Sequence, residues 1–406
     1  MNRLIYLSNK KLIYLIFFII YSTDAAIVST NSDRIWARLT WIGIIILSFM
    51  FIPKARYANN DKTYLTAFSI GIVASMFANE GFDVNFIQRV VLIWFSAAIV
   101  TSIDYDRLMD IYIKIMRFIA IFSMICFVFS PVLVSLPLPK MHSGELTYVN
   151  LFFTNIPTHL TRNYGPFWEP GAFQLYLNWA IFYELRNMHR FKLSDIIVFV
   201  LCVFTTKSTG GIVILGMMLI YYLLFVKHDL RDRNSKRLVF WIRILMIIIA
   251  LGGAAAIMTI PELYLSIFGK VMALQENSTE INSGNISSMT RLLSTPACIE
   301  AIKMKPLLGW GIDGLKEIIY KNFDITSNTN SILGMAATFG VVPGLLYILL
   351  FIRVIGRQSD VFLGRIWILL ILCAMFCTEN LICSLFFWCV LFYESRYKVK
   401  TCNSYV

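Results

Sequence analysis

The sequence predicts an all-α polytopic integral membrane protein of about twelve transmembrane helices. Three observations lead there. The 406-residue chain is 58% hydrophobic and only 15% charged, where a soluble domain carries about a quarter charged residues, so much of its apolar surface must face something other than water. Apolar runs of about twenty residues recur from end to end, each long enough to cross a hydrocarbon core. The connections between them alternate between basic and non-basic, as loops on opposite sides of a membrane do. The mean hydropathy of +0.69 agrees.

The apolar runs put spans at about 11–28, 36–52, 63–78, 86–103, 113–137, 171–187, 194–206, 211–226, 239–260, 329–352, 361–377 and 380–393. Lys10 and Lys11 before "LIYLIFFIIY" mimic a secretory signal, but with so many spans behind it an uncleaved first helix is expected. The connections 53–62, 184–193, 227–238 and 353–360 are rich in Lys and Arg, and so are both ends of the chain. "TNSDR", "NEGFDVN" and "TEN" are not. Both termini are therefore expected in the cytoplasm. The acidic connection 104–112 is the one weak vote. The same bias accounts for the net charge of +12, so no nucleic-acid partner is implied. Membrane lipids are the expected surroundings.

Within this single polytopic domain, 1–406, two long loops remain, at about 138–170 and 261–328. Four spans separate them, so they share one face, the external one by charge. Loops of that size in a tight bundle are usually functional. In the second, "PELYLSIFGKVMAL" has the spacing of a helix lying on the membrane surface, and "QENSTEINSGNISS" is polar enough to be mobile. "STPACIEAIKMKP" then offers Thr295 as N-cap, Pro296 at the first helical position and Pro306 as stop.

Of eight cysteines, only Cys298 falls in a large polar loop, so no disulfide framework is expected. Four scattered histidines give no metal-ligand spacing. No cofactor is implied. "TTKSTGG" has no P-loop before it and reads as an external turn. Its Lys207 either snorkels or points at an anion.

Arg162 and Arg291 each stand beside a membrane-proximal turn. An arginine fork grips phosphate in bidentate fashion and stays charged, which suits a pyrophosphate; a solvated loop arginine is the plainer reading of each. Glu169 precedes Pro170 at the start of a span. It reads either as a helix N-cap or as a carboxylate poised to take a proton. Tyr164, Trp168 and Trp310 read either as interfacial belt aromatics or as platforms for sugar rings.

These residues carry a resemblance. "RNYGPFWEPGAFQLYL" resembles the R-x-x-G-x-F-x-E-P-G signature of Wzy-type O-antigen polymerases, in the same broad family as O-antigen ligases. "TRLLSTPACIEAIKMKPLLGWGIDG" resembles that family's second element, an arginine some fifteen residues before P-L-L-G-x-G. "SNTNSILGMAATFG" resembles the ligase pattern of His, Asn and a later Gly; Asn330 and Gly340 match, but Thr329 stands where that histidine would be. The resemblance implies a GT-C-like membrane fold and an inverting, metal-independent glycosyltransferase. Its donor and acceptor would be undecaprenyl-pyrophosphate-linked oligosaccharides, met on the external (periplasmic) face of a bacterial inner membrane. On this reading Glu169 is the base, Arg162 and Arg291 are the pyrophosphate ligands, and Tyr164, Trp168, Lys207, Trp310 and Asn330 are substrate contacts. It also leaves room for a chain-length regulator protein. The E-P-G form leans toward a polymerase. An O-antigen ligase, or a lipid-linked oligosaccharide flippase, stays as the alternative. A flippase would need ionisable residues deep in the spans, where Asp24 and Arg89 are among the few.

Overall fold

The computed structural model describes residues 7–29, 35–55, 57, 59–79, 81–143, 146–158, 162–186, 192–225, 240, 244, 247, 259, 283–358 and 361–396. These are mostly helical. In chain order the first helices are α1 (Asn9–Asp24), α2 (Ala26–Ser29), α3 (Ile35–Phe51), α4 (Asn59–Asn79), α5 (Val84–Ser102), α6 (Tyr105–Val128) and α7 (Ser130–Ser135). After a small sheet come α8 (Pro170–Arg186), α9 (Leu193–Thr205) and α10 (Thr209–Phe225). The C-terminal part holds α11 (Ser283–Met304), α12 (Ile312–Phe323), α13 (Ser331–Phe339), α14 (Val341–Gln358), α15 (Phe362–Thr378) and α16 (Leu385–Arg396). The expected span 239–260 and the surface helix at 261–274 lie outside the described residues, apart from isolated positions.

Burial divides the helices into outer and central ones. Only Ile44, Ser48 and Phe51 of α3 are buried, while Leu39, Ile42, Ile46 and Phe49 are exposed. A helix that is apolar all round and yet unburied belongs against lipid. Ile35–Lys54, Val84–Ser102 and Tyr105–Val128 are long and apolar enough to cross a membrane, and the apolar helices α9, α10 and α15 are shorter. In α8 and α16 the reverse holds, since every residue from Pro170 to Leu185 and from Leu385 to Glu394 is buried by protein.

The two central helices meet through aromatic rings. Tyr176 of α8 stacks on Phe386 of α16 at 4.8 Å, and Tyr112 of α6 lies on Phe386 at 4.6 Å. Such pairs are worth about 0.5–1.5 kcal/mol each beyond the area they bury. The hydroxyls of Tyr176 and Ser384 both donate to the Asp24 carboxylate. Asp24 therefore ties the end of α1 to α8 and to the turn before α16, which explains an acid at that depth.

Several expected elements are corrected. The connection 104–112 is not a loop: Asp104 caps α6, accepting from the Arg107 N–H at 3.0 Å, so Asp106 and Asp110 lie in its first turns. Acids are favoured there by the helix dipole. The expected span 329–352 is broken at Gly340, whose φ is +94°. A Cβ at Gly340 would overlap the Leu307 carbonyl, so the chain turns there because the 306–311 segment packs against it. Helix α11 runs straight through Thr295 and Pro296, and the Thr295 hydroxyl is taken by the Asn330 side chain at 3.0 Å rather than by a cap.

The first long loop is also built, not merely connective. Strands β1 (Lys140–Ser143), β2 (Leu146–Asn150) and β3 (Asn155–Pro157) form an antiparallel meander, with Val149 opposite Lys140 on one side and Ile156 on the other. Val149 and Ile156 are buried against Cys126 of α6. This anchors the sheet and fixes where the chain after β3 begins.

Candidate active site at the junction of the two loops

The segment from Arg162 to Gly171 is held almost residue by residue. The Asn163 side chain accepts from the Gly165 N–H at 3.0 Å and donates to Ser123 and Thr205 at 3.1 and 3.0 Å. That closes a local turn. Gly165 sits at φ +52°, and a Cβ there would come within 2.7 Å of the Phe173 ring. The Gly165 carbonyl accepts from the Asn155 N–H at 2.6 Å, and the Pro166 carbonyl accepts from the Ala26 N–H at 2.8 Å. Phe167, fully buried, stacks on Tyr176 at 4.3 Å. The chain then enters α8 at Pro170, and the Glu169 carbonyl accepts the first helical N–H bonds.

Glu169 therefore occupies the N-cap position, but its carboxylate makes no capping hydrogen bond among the described residues. Glu169 Oε2 instead lies 3.6 Å from Arg291 Nη2 of α11, and both side chains are about a third exposed. The Arg291 guanidinium also donates from Nη2 to Glu379 Oε1 at 2.7 Å and from Nε to the Thr378 carbonyl at 3.2 Å. Glu379 is buried, its side chain 3% exposed. Its backbone is fixed by the Ser331 hydroxyl, which donates to its carbonyl at 2.7 Å and accepts from the Leu381 N–H at 2.7 Å. Gly171 leaves the space: a Cβ there would overlap Glu379 Oε1 and reach 2.9 Å from Arg291 Nη2. The glycine of E-P-G is required by the approach of this ion pair from two other helices.

Arg162 stands on the other side of the first loop's end. Its Nε and Nη2 donate to the carbonyls of Thr206 and Lys207, at 3.1 and 3.2 Å. These carbonyls close the end of α9, where a cation is favoured. Lys207, at φ +48°, forms the same turn. Burial lowers the Arg162 pKa, and Tyr164, Arg291, Glu169 and Glu379 all act on it, so the charged groups share one electrostatic neighbourhood.

The charges influence one another strongly. Burial holds the Glu379 carboxyl well above the usual carboxylate range, the charge of Glu169 and a hydrogen bond with it add to this, and Arg291 pulls the other way. Burial disfavours the Arg291 cation, but Glu379 and Glu169 outweigh it and raise its pKa. Burial thus favours the neutral form of Glu379, while Arg291 stays charged.

Glu169, Arg291 and Arg162 thus share one neighbourhood, with Arg162 bonded to the Lys207 carbonyl and half-buried Trp168 next to Glu169 in the chain. Three other expected contacts turn inward. Tyr164 is 4% exposed and packs edge-on against Tyr148 at 5.6 Å. Trp310 donates its indole N–H to the Ala301 carbonyl at 2.9 Å and lies under Lys305. The Asn330 amide caps α13 through the Leu333 N–H at 2.9 Å. Thr329, at the position of the ligase histidine, lies 3.3 Å from the Ser294 hydroxyl, one helical turn from Arg291. Glu379 was missed by the sequence reading, which counted "TEN" only as a non-basic connection. A lone acid in so short a turn between apolar runs was the available signal.

Fold and site together describe a mostly helical chain, with helices apolar enough to cross a membrane, that carries a partly shielded carboxylate–arginine centre at the end of its central helices. A family model described as O-antigen ligase matches residues 196–349, from α9 to α14. The match covers less than half of the chain, so it shows that this region is similar to O-antigen ligases. The matched region contains Lys207, Arg291 and Asn330 but not Arg162, Glu169 or Glu379. No curated protein matches the chain.

Proposed function

We propose that the protein polymerises lipid-linked oligosaccharide repeat units of a bacterial surface polysaccharide. The observation that carries this reading is the Glu169–Arg291–Glu379 cluster, built from the E-P-G motif, the second arginine motif and the turn before α16. The reaction is inverting glycosyl transfer without a metal, on undecaprenyl-pyrophosphate substrates at the external face of the inner membrane. The two long loops, about 138–170 and 261–328, face outside, and both termini are cytoplasmic.

Glu169 takes the proton of the acceptor hydroxyl as its oxygen bonds to the donor's anomeric carbon. The bond from that carbon to the pyrophosphate oxygen breaks, and the pyrophosphate leaves with the electron pair. Arg162 and Arg291 stabilise the charge that develops on it. The long contact of Arg291 with Glu169, between two partly exposed groups, is the one a phosphate displaces. The short contact with buried Glu379 holds the guanidinium in place meanwhile.

The second reading is an O-antigen ligase, favoured by the description of the matching family model and disfavoured by Thr329. Deleting the gene and running the surface polysaccharide on a gel separates the alternatives. Loss of a polymerase leaves one repeat unit on core, whereas loss of a ligase leaves polymer on the carrier lipid. Loss of a flippase gives neither, and either of these last two patterns ends the polymerase reading.

A further inference from the structure

Arg89 lies in α5, one of the helices apolar enough to cross a membrane. Ionisable side chains in such helices are costly and mark functional places. Phe86 and Ile93, one turn to either side of Arg89, are buried, and Phe86 meets Phe339 edge-on at 5.5 Å. Arg89 therefore stands on the inward face of α5. It makes no hydrogen bond or ion pair among the described residues. It lines instead a cavity of about 140 Å³ whose other polar walls are Lys316, Thr326, Ser327, Asn328, Thr338 and Asn380. None of the lining residues is acidic. The only ion pair of Lys316 among the described residues is with Asp313, one turn away at 2.7 Å, and both are well exposed. Such a pair is worth little, so Lys316 is available to a ligand.

The cavity is separate from the Glu169 site but shares a wall with it. Glu379 is extended, at φ −143° and ψ 150°. Successive side chains of an extended chain leave on opposite sides. Glu379 meets Arg291, and Asn380 lines the cavity. Two cationic places thus flank one turn, one holding carboxylates and the other lined by donors without an acid.

We infer that this cavity binds a second phosphate-type anion, the pyrophosphate of the lipid-linked acceptor, while the Arg162–Arg291 site takes that of the donor. The inference rests on the polymerase reading, in which two lipid pyrophosphates must be held at once and kept apart. Arg89 and Lys316 supply the charge; the amides and hydroxyls complete the donor set.

The test uses the full chain in nanodiscs of neutral phosphatidylcholine, titrated calorimetrically with farnesyl pyrophosphate. Wild type should bind two equivalents. Arg89→Gln with Lys316→Gln should weaken one of them by about tenfold or more, the loss expected for charge-assisted hydrogen bonds. Arg291→Ala should weaken the other. Arg89→Lys, which keeps the charge, should retain two equivalents and so guards against misfolding. Two unweakened equivalents in the double variant overturn the inference, and so does a single equivalent in wild type. If that single equivalent vanishes in Arg291→Ala, the proposed function survives alone. If Arg291→Ala has no effect while the double variant loses binding, the donor site fails and the acceptor assignment falls with it. Inorganic pyrophosphate binding as tightly as the farnesyl compound would assign the cavity to a free anion. Loss of the second equivalent in phosphatidylglycerol nanodiscs would assign it to phospholipid headgroups. Either result overturns the acceptor assignment.

Discussion

The 162–171 loop and the 378–384 turn each bring one carboxylate to Arg291, and they hold it in opposite ways. In the loop the backbone is pinned by Asn163, Gly165 and the Pro166 carbonyl, while the Glu169 side chain is a third exposed and 3.6 Å from its partner. In the turn the Glu379 side chain is itself the fixed part, 3% exposed and 2.7 Å from Arg291. A loosely held carboxylate can meet a substrate and exchange a proton with it. A buried one, bonded at short range to the guanidinium, can only position the arginine. On the proposed function, this difference favours Glu169 for proton transfer and Glu379 for support.

The sharpest way to break that assignment is at Glu169. Glu169→Gln keeps shape and polarity but removes the proton acceptor, so polymerisation should fall by about 10²-fold or more at normal protein level. Glu169→Asp withdraws the carboxylate by a methylene and should be impaired as well. Were the residue only the start of α8, Asp or Asn would serve at a cost of about 0–2 kcal/mol and polymer would persist. Full-length polymer from Glu169→Gln, seen on a gel, would give the base to another residue.

A second comparison, between the arginines, gives the next largest effect. Each spends Nε and Nη2 on the protein, but Arg162 on two backbone carbonyls and Arg291 on a carbonyl and a carboxylate. Lysine carries one point charge and cannot bridge two acceptors as the fork does. At Arg291 the loss also strands a buried acid, and breaking one partner of such a pair is costly. Arg291→Lys should therefore lose about tenfold or more of the polymer, and Arg162→Lys clearly less. Equal, near-normal polymer from both variants would remove the pyrophosphate role.

What the sequence made legible follows the range of the interactions. The start of α8, the turn at Gly165 and the gathering of Arg162, Glu169 and Arg291 are tied to local motifs and to loop topology. Glu379 was invisible because its partner is 88 residues away, and nothing within "TEN" announces an ion pair. Gly171 could be matched to a signature, but its reason is the Glu379 oxygen, which arrives from the turn before α16. The break at Gly340 hid inside a continuous apolar run, because the Leu307 carbonyl that occupies the Cβ position comes from the preceding loop. Tyr164, Trp310 and Asn330 were read as substrate contacts from type and position. Their polar or aromatic surfaces are spent on neighbours that composition does not reveal.

The smallest effect sharpens the contrast between the carboxylates. Glu379→Gln preserves the shape of the buried side chain and its bond to Arg291 but fixes it in a neutral form. In wild type, burial and the nearby Glu169 raise the Glu379 pKa above its unfolded value, Arg291 opposing them. The folded protein then holds a proton that the unfolded chain has already released. Stability from this group is fully present below the ordinary carboxylate pKa and is lost as pH rises through the raised one. The melting temperature of wild type, measured against Glu379→Gln in the same detergent, should be level at acid pH and fall behind as pH climbs above the usual carboxylate range. If the difference between wild type and Glu379→Gln stays the same across that pH range, buried Glu379 does not keep the proton.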